Sequence, residues 1–270
     1  MLDILFDALI DVLKLIPFLF VSFLIMELIE HKMNNQKKLT EANKYGPLAG
    51  SFLGVIPQCG FSALASNLYA ARVITLGTLM AVYLSTSDEM LPIMLSHKTN
   101  ILIILKILLL KFLLGLLFGF IIDFVYQKKS KNEIKHLCED DHCHCEESIL
   151  KSSIIHTLKI AGFIFLVNAI LNTIIDEQTL HNFATSNKVL APIITSLIGL
   201  IPNCASSVII TELYLDKIIT LGSCLSGLLS AAGVGLLVLF KQNKNIKENI
   251  LILLLLVFIA SLSGIIFNFI

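Results

Sequence analysis

An internal repeat limits the folds open to this chain more than any other feature of its sequence. Residues 54–62 read GVIPQCGFS and residues 199–207 read GLIPNCASS, 145 positions further along. The same offset, without a gap, gives 13 identical residues among the 31 positions from 47 to 77. A match this long is typical of a duplicated unit. We therefore predict a first repeat at 1–126, a polar linker at 127–151 and a second repeat at 152–270.

Both repeats are strongly apolar. Of the 270 residues, 56% are hydrophobic and 15% are charged, and half of the charged residues fall in the segments 31–45, 127–151 and 241–248. The remainder contains apolar runs of about 20 residues, the length of helix that crosses a bilayer. These runs do not alternate with a period of two, so we predict an all-α polytopic membrane protein. The 20 basic residues equal the 20 acidic ones, which argues against nucleic-acid binding.

Each repeat is predicted to contain three full spans and one interrupted segment, or ten helical segments in all when the halves of each interrupted segment are counted. The predicted spans are 12–30, 75–95 and 101–126 in the first copy and 154–175, 218–240 and 249–270 in the second. The interrupted segments, 46–71 and 191–216, are too short for two crossings. Because proline cannot donate a backbone hydrogen bond, each is predicted to be a re-entrant hairpin that turns at Pro57 or Pro202.

The predicted topology is inverted. An odd number of crossings per repeat gives the two copies opposite orientations. The lysines of 31–44, 127–135 and 241–247 then share one side, which the positive-inside rule makes cytoplasmic. We therefore expect a multi-pass protein of the cell (inner or plasma) membrane with both termini outside and the linker inside. Inverted repeats with paired breaks are typical of secondary transporters, whose substrate sites lie at the breaks.

The hairpin turns carry the candidate substrate-binding residues. These are Pro57, Gln58, Cys59 and Ser62 in the first copy and Pro202, Asn203, Cys204 and Ser207 in the second. Thiolates are soft ligands for metals and metalloids, whereas helix N-termini suit oxyanions. The alternative is that each cysteine only packs, as we expect for Cys224.

Four carboxylates are candidates for a coupling or pathway role. Asp88 and Glu89 lie inside the predicted span 75–95, where the second copy has only alanine, glycine and valine. A carboxylate in a membrane is costly unless it is paired, hydrated or protonated, so a coupling-ion or proton site is expected. The alternative is a helix end that reaches water. Glu212 and Glu27 are the further candidates, and the sequence selects no partner for Lys111, which also lies within a span.

The linker is dense in soft ligands. Cys138, His142, Cys143, His144 and Cys145 lie within eight residues, a composition that favours metal capture over a plain polar tether. We expect no tightly bound cofactor, only the transported metal ion and a metal bound by the linker.

Several motifs together resemble the ten-span heavy-metal exporter family, whose members are commonly labelled arsenic efflux proteins or manganese transporters. They are GVIPQCGFS, LSTSDEMLPIMLS, GLIPNCASSVIITELYL and GLLSAAGVGLLVLFK. The resemblance runs along nearly the whole chain and implies a permease-like exporter with duplicated halves and a His/Cys-rich central linker. The two turns are not equivalent, since Ala205-Ser206 replaces Gly60-Phe61.

The function favoured by these observations is export of a heavy-metal or metalloid species, of the manganese or arsenic type, by alternating access. The chain has no GxxxxGK[ST] motif, so we expect neither ATP hydrolysis nor another enzymatic activity. Two alternatives stay open: a transporter of an anion or small organic solute, and a membrane enzyme or metal sensor that acts through the linker. Removing residues 136–147 would abolish a sensor's response but leave a transporter's flux.

Overall fold

The structure, a computed structural model, describes most of both repeats. It covers residues 45–56, 59–87, 89–126, 154–155, 157–166, 189–202 and 204–269, with single helical positions at 13, 16, 17, 20, 21 and 24. The regular elements of the first copy are α1 (Gly46–Val55), α2 (Cys59–Ala70), α3 (Leu76–Ser85), α4 (Met90–Ser96) and α5 (Ile101–Tyr126). A further helix, α6 (Thr157–Leu166), opens the second copy. It continues with α7 (Leu190–Gly199), α8 (Cys204–Leu215), α9 (Leu221–Ser230), α10 (Val234–Gln242) and α11 (Ile246–Phe269). All regular structure in the described residues is helical, which confirms the all-α class.

The repeat extends to helix boundaries and caps. Adding 145 to the bounds of α2 and α3 gives the bounds of α8 and α9 to the residue. Thr75 caps α3 by accepting from the Thr78 amide, and Thr220 caps α9 in the same way from Ser223, each at 3.2 Å. The duplication seen in the sequence is therefore also a duplication of local structure, although the limits of the predicted domains stay a prediction.

Helices α2 and α8 end in the same motif. Arg72 and Lys217 adopt left-handed backbone conformations, with φ of 63° and 60°. The Val73 amide donates to the Leu68 carbonyl at 2.8 Å, and the Ile218 amide donates to Leu213 at 2.9 Å, which closes a Schellman-type C-cap in each copy. A non-glycine residue in this conformation costs roughly 1–2 kcal/mol, so each turn is held by its surroundings.

Helices α3 and α9 form the centre of the molecule. Every residue of α3 is buried, and so are nine residues of α9. The largest apolar cluster joins leucines of both helices with Leu236, Leu239 and Leu256 of α10 and α11. Since neither central helix has an exposed face and the cluster contains residues of both, the core is built from the two copies together.

The two predicted spans at the centre differ from the sequence expectation. One continuous helix was expected over 75–95 and another over 218–240, but the structure breaks both, at 86–89 and at 231–233. At the second break the Ala232 amide bonds to Ser230 O at 2.8 Å, and Gly233 has a φ of 53°, a conformation that favours glycine. The segments as a whole still have the length of spans.

Within the described residues, three helical segments are long and apolar enough to cross a membrane: Ile101–Tyr126, Leu221–Gln242 and Ile246–Phe269. Large apolar side chains on α5 and α11 are exposed, among them Phe124 and Phe258. Such an apolar outer surface fits contact with lipid, since the bilayer is as apolar as these side chains.

Candidate functional site

The candidate site is defined by four breaks between consecutive helices. They separate α1 from α2 (56–58), α3 from α4 (86–89), α7 from α8 (200–203) and α9 from α10 (231–233), and we call them the break cluster. Pro57, Gln58, Asp88 and Asn203 lie outside the described residues, as do the side chains of Cys59 and Cys204. The backbones of the two cysteines are described, and each begins a helix, α2 or α8.

Within each copy, the C-terminal end of the helix before the proline, α1 or α7, touches the C-terminal end of the central helix, α3 or α9. A Cβ on Gly54 would collide with the Ser85 side chain and lie 2.7 Å from Val82 O. A Cβ on Gly199 would likewise collide with Ser230 and with the Gly227 carbonyl. The C-terminal end of α1 therefore lies beside the C-terminal end of α3, and the C-terminal end of α7 lies beside that of α9.

Between copies, the start of α2 packs on the start of α10. A Cβ on Gly235 would lie 2.8 Å from Ser62 Cβ and 3.0 Å from Ser62 O, so only glycine allows this approach. Ser66 Oγ lies 2.6 Å from Ser62 O and 2.7 Å from Gly235 O, and the Tyr83 hydroxyl donates to Gly235 O at 3.1 Å. The first turns of α2 and α10 are thus in contact, and the buried hydroxyls of Ser66 and Tyr83 bond to the Gly235 carbonyl there.

Lys111 of α5 connects the start of the break 86–89 to the second copy. Its side chain is fully buried, and Nζ donates to the backbone carbonyls of Thr86 and Leu228, the latter at 2.7 Å. Thr86 begins the break 86–89, and Leu228 lies in the last turn of α9. The described helix ends that flank the four breaks therefore meet in one region between the two copies.

The other candidate residues differ in how exposed they are, and some of them lie outside the described residues. Ser62 and Ser207 are both buried, and the carbonyl of each accepts from a hydroxyl one turn on, that of Ser66 or Thr211. Glu89 is partly exposed at the N-terminus of α4, whereas Glu212 is exposed on α8. Glu27 lies outside the described residues, as do the linker residues Cys138, His142, Cys143, His144 and Cys145.

No metal-binding group of three or more His, Cys, Asp or Glu side chains occurs among the described residues. The linker and the two hairpin thiols are not part of that set. Cys224 is fully buried in an apolar cluster with Met90, Ile210 and Leu228, in keeping with the packing role expected for it.

A second connection between the copies was not foreseen from the sequence. Arg72 Nη1 and Nη2 donate to the two carboxylate oxygens of Glu248, each at 2.6 Å, and the Tyr69 hydroxyl also donates to Glu248. The hydrogen bonds to Glu248 raise the pKa of Arg72 above its ordinary value, so the guanidinium stays charged. The repeat carries no signal for this pair, because Glu248 corresponds to Ile103 in the first copy.

Comparison with protein families gives a match over about two thirds of the chain. Residues 1–179 match a family model described as "Putative, 10TM heavy-metal exporter". No curated protein and no solved structure matches the chain. The match covers α1 to α6 and the linker, and therefore the first copy with its breaks.

Proposed function

Because the chain belongs to the 10TM heavy-metal exporter family, a family of polytopic membrane proteins, we propose that it is a secondary transporter that exports a heavy-metal or metalloid species. Its two copies would alternate the access of a central site between the two sides of the membrane. The observation that carries this proposal is the meeting of the four helix breaks between the copies. In transporters with repeats, substrates and coupling ions bind where broken helices meet.

The proposed substrate site lies at the starts of α2 and α8. Cys59 and Cys204 begin these helices, so their thiols are proposed as the soft ligands, with Gln58, Asn203, Ser62 and Ser207 as polar neighbours. The helix N-termini add partial positive charge, which favours a thiolate over a thiol. Soft thiolates favour a soft metal or a metalloid over a hard cation.

The remaining candidate residues are proposed to act in coupling, along the pathway and in metal binding by the linker. In the sequence Asp88 and Glu89 directly precede α4, and they are proposed to exchange a proton or to bind the transported cation. Glu212 and Glu27 are proposed to line the pathway. The linker cysteines and histidines are proposed to bind metal on the cytoplasmic side, which keeps their thiols reduced.

The test is growth of a deletion strain that carries the chain, across a panel of metals and arsenite. The double variant Cys59→Ser, Cys204→Ser should lower the tolerated concentration to that of the deletion strain, because both proposed ligands are removed. Cys224→Ser is the matched control, since it makes the same chemical change at a buried packing position and should leave resistance in place. Membrane levels of each variant are compared by immunoblot. Unchanged resistance in the double variant would rule out thiol ligation.

The helix starts favour a second candidate, export of an anion. The first turns of α2 and α10 are packed together, and helix N-termini attract negative charge. In that case flux of an oxyanion into proteoliposomes would survive the loss of both thiols. The wild-type chain itself would then transport no metal.

A further inference from the structure

Lys111 is a fully buried cation in the middle of the protein. A buried ammonium is costly unless its environment compensates the charge, and the cost is greater in a membrane. Here the compensation includes backbone carbonyls from both copies, Thr86 O and Leu228 O at 2.7 Å. The ammonium therefore holds the end of α3, at the break 86–89, against the central helix α9 of the other copy.

The helix breaks make these carbonyls available. In an unbroken helix, Leu228 O would accept from the amide of residue 232, but the Ala232 amide bonds to Ser230 O instead. Thr86 follows the last residue of α3, whose final carbonyls lack helical partners. Both acceptors thus lie at the negative ends of helix dipoles, where a cation is stabilised.

The second copy has no charge at the equivalent position. Leu256 occupies the equivalent position of the second copy, where it is fully buried in the central apolar cluster. The buried charge of Lys111 is therefore specific to the first copy, where carbonyls of both copies surround it.

Carbonyls at the ends of broken helices are the groups that bind Na⁺ in many transporters. Resting on the transport function proposed above, we propose that the Lys111 ammonium permanently fills the position of a monovalent coupling cation. Its charge replaces that of a bound ion and attracts the carbonyls at the ends of α3 and α9. Because the ammonium is covalently attached to the chain, it cannot dissociate. The chain therefore needs no sodium to fold into its transport-competent form.

The test uses the purified full-length chain and its variant Lys111→Ala, which removes the charge and leaves room for an ion. Thermal unfolding is measured in sodium, potassium and choline chloride at equal ionic strength. The wild-type midpoint should be the same in all three salts. The midpoint of Lys111→Ala should rise by about 5 °C at a hundredfold excess of a bound cation over its dissociation constant. Lys106→Ala, on the exposed side of the same helix, is the control and should behave as wild type.

Two results would overturn the proposal: a folded Lys111→Ala variant that responds to no monovalent cation, or a wild-type chain that sodium stabilises over choline. If Lys111→Ala is unfolded in every salt, Lys111→Ser is measured instead, since it also removes the charge and leaves room for an ion. The same two outcomes then decide. Because unfolding is measured without transport, a chain that shows this cation dependence but moves no metal contradicts only the proposed function.

Discussion

Arg72 and Lys217 occupy equivalent positions in the two copies, and they differ in what the side chain reaches. Both backbones are left-handed, at the same C-cap. The Arg72 guanidinium makes a bidentate pair with Glu248 of the other copy, whereas Lys217 is exposed. The same local strain is therefore compensated differently, because among the described residues a carboxylate pairs with Arg72 and none with Lys217.

Replacing each of these residues by glycine separates the strain from the ion pair. Lys217→Gly should raise the free energy of unfolding by up to about 1 kcal/mol, because glycine adopts the left-handed conformation without strain. Arg72→Gly should be less stable than Lys217→Gly by about 1–3 kcal/mol, since charged hydrogen bonds to a half-buried carboxylate are lost. Denaturant unfolding of the purified variants measures both changes. Equal changes would mean that the pair with Glu248 contributes nothing.

At the scale of elements, glycines set how closely the long helices approach the centre. A Cβ on Gly119 of α5 would lie 2.9 Å from Ala81 Cβ and 3.0 Å from Pro47 Cβ. Gly264 of α11 has the equivalent place, and its Cβ would lie 2.5 Å from Ser226 Cβ. Small residues that let backbones approach are a common basis of helix packing in membranes, where water does not drive association.

This packing predicts opposite effects for two glycine-to-alanine changes. Gly119→Ala should lower the free energy of unfolding by about 1–3 kcal/mol, because the added methyl group overpacks α3 and α1. Gly162→Ala is the matched control on α6, where an added Cβ meets none of the described residues within 4 Å. There alanine should be neutral, or stabilising by up to about 1 kcal/mol, through its helix propensity. Thermal unfolding in detergent compares the two, and a similar loss in both would refute close packing at Gly119.

At the scale of the whole molecule, each copy contributes a helix to the other. The second hairpin arm of the first copy, α2, packs on α10, and the corresponding arm α8 packs on α4. The first arms, α1 and α7, pack instead on the central and long helices of their own copies. This reciprocal exchange is what an approximate two-fold relation between the copies produces.

The predicted inverted orientation can be tested at equivalent positions. Asn100 and Asn245 precede α5 and α11, lie 145 residues apart and are both exposed. In a background without native cysteines, Asn100→Cys should react with a membrane-impermeant maleimide in intact cells. Asn245→Cys should react only after permeabilisation, because it lies in a lysine-rich cytoplasmic segment. Labelling of both from the same side would show parallel repeats and contradict the inverted topology.

Features with local causes could be read from the sequence. The duplication, the helix Ile101–Tyr126 and the breaks beside Pro57 and Pro202 follow from composition and from a residue that lacks a backbone donor. The same holds for the membership of an exporter family, because its motifs are contiguous. The breaks 86–89 and 231–233 had no such signal, since apolar segments of span length around them predict continuous helices.

The sequence by itself determined the duplicated all-helical plan and the positions of the hairpin breaks, through signals that act over a few residues. Only the tertiary structure decided which breaks meet and what compensates the buried charge. Lys111 finds its carbonyls 25 and 117 residues away, and Arg72 finds Glu248 at a separation of 176. The physical reason is that such partners are chosen by packing and by the cost of leaving a buried charge unpaired. Neither cost exists until the two copies have come together.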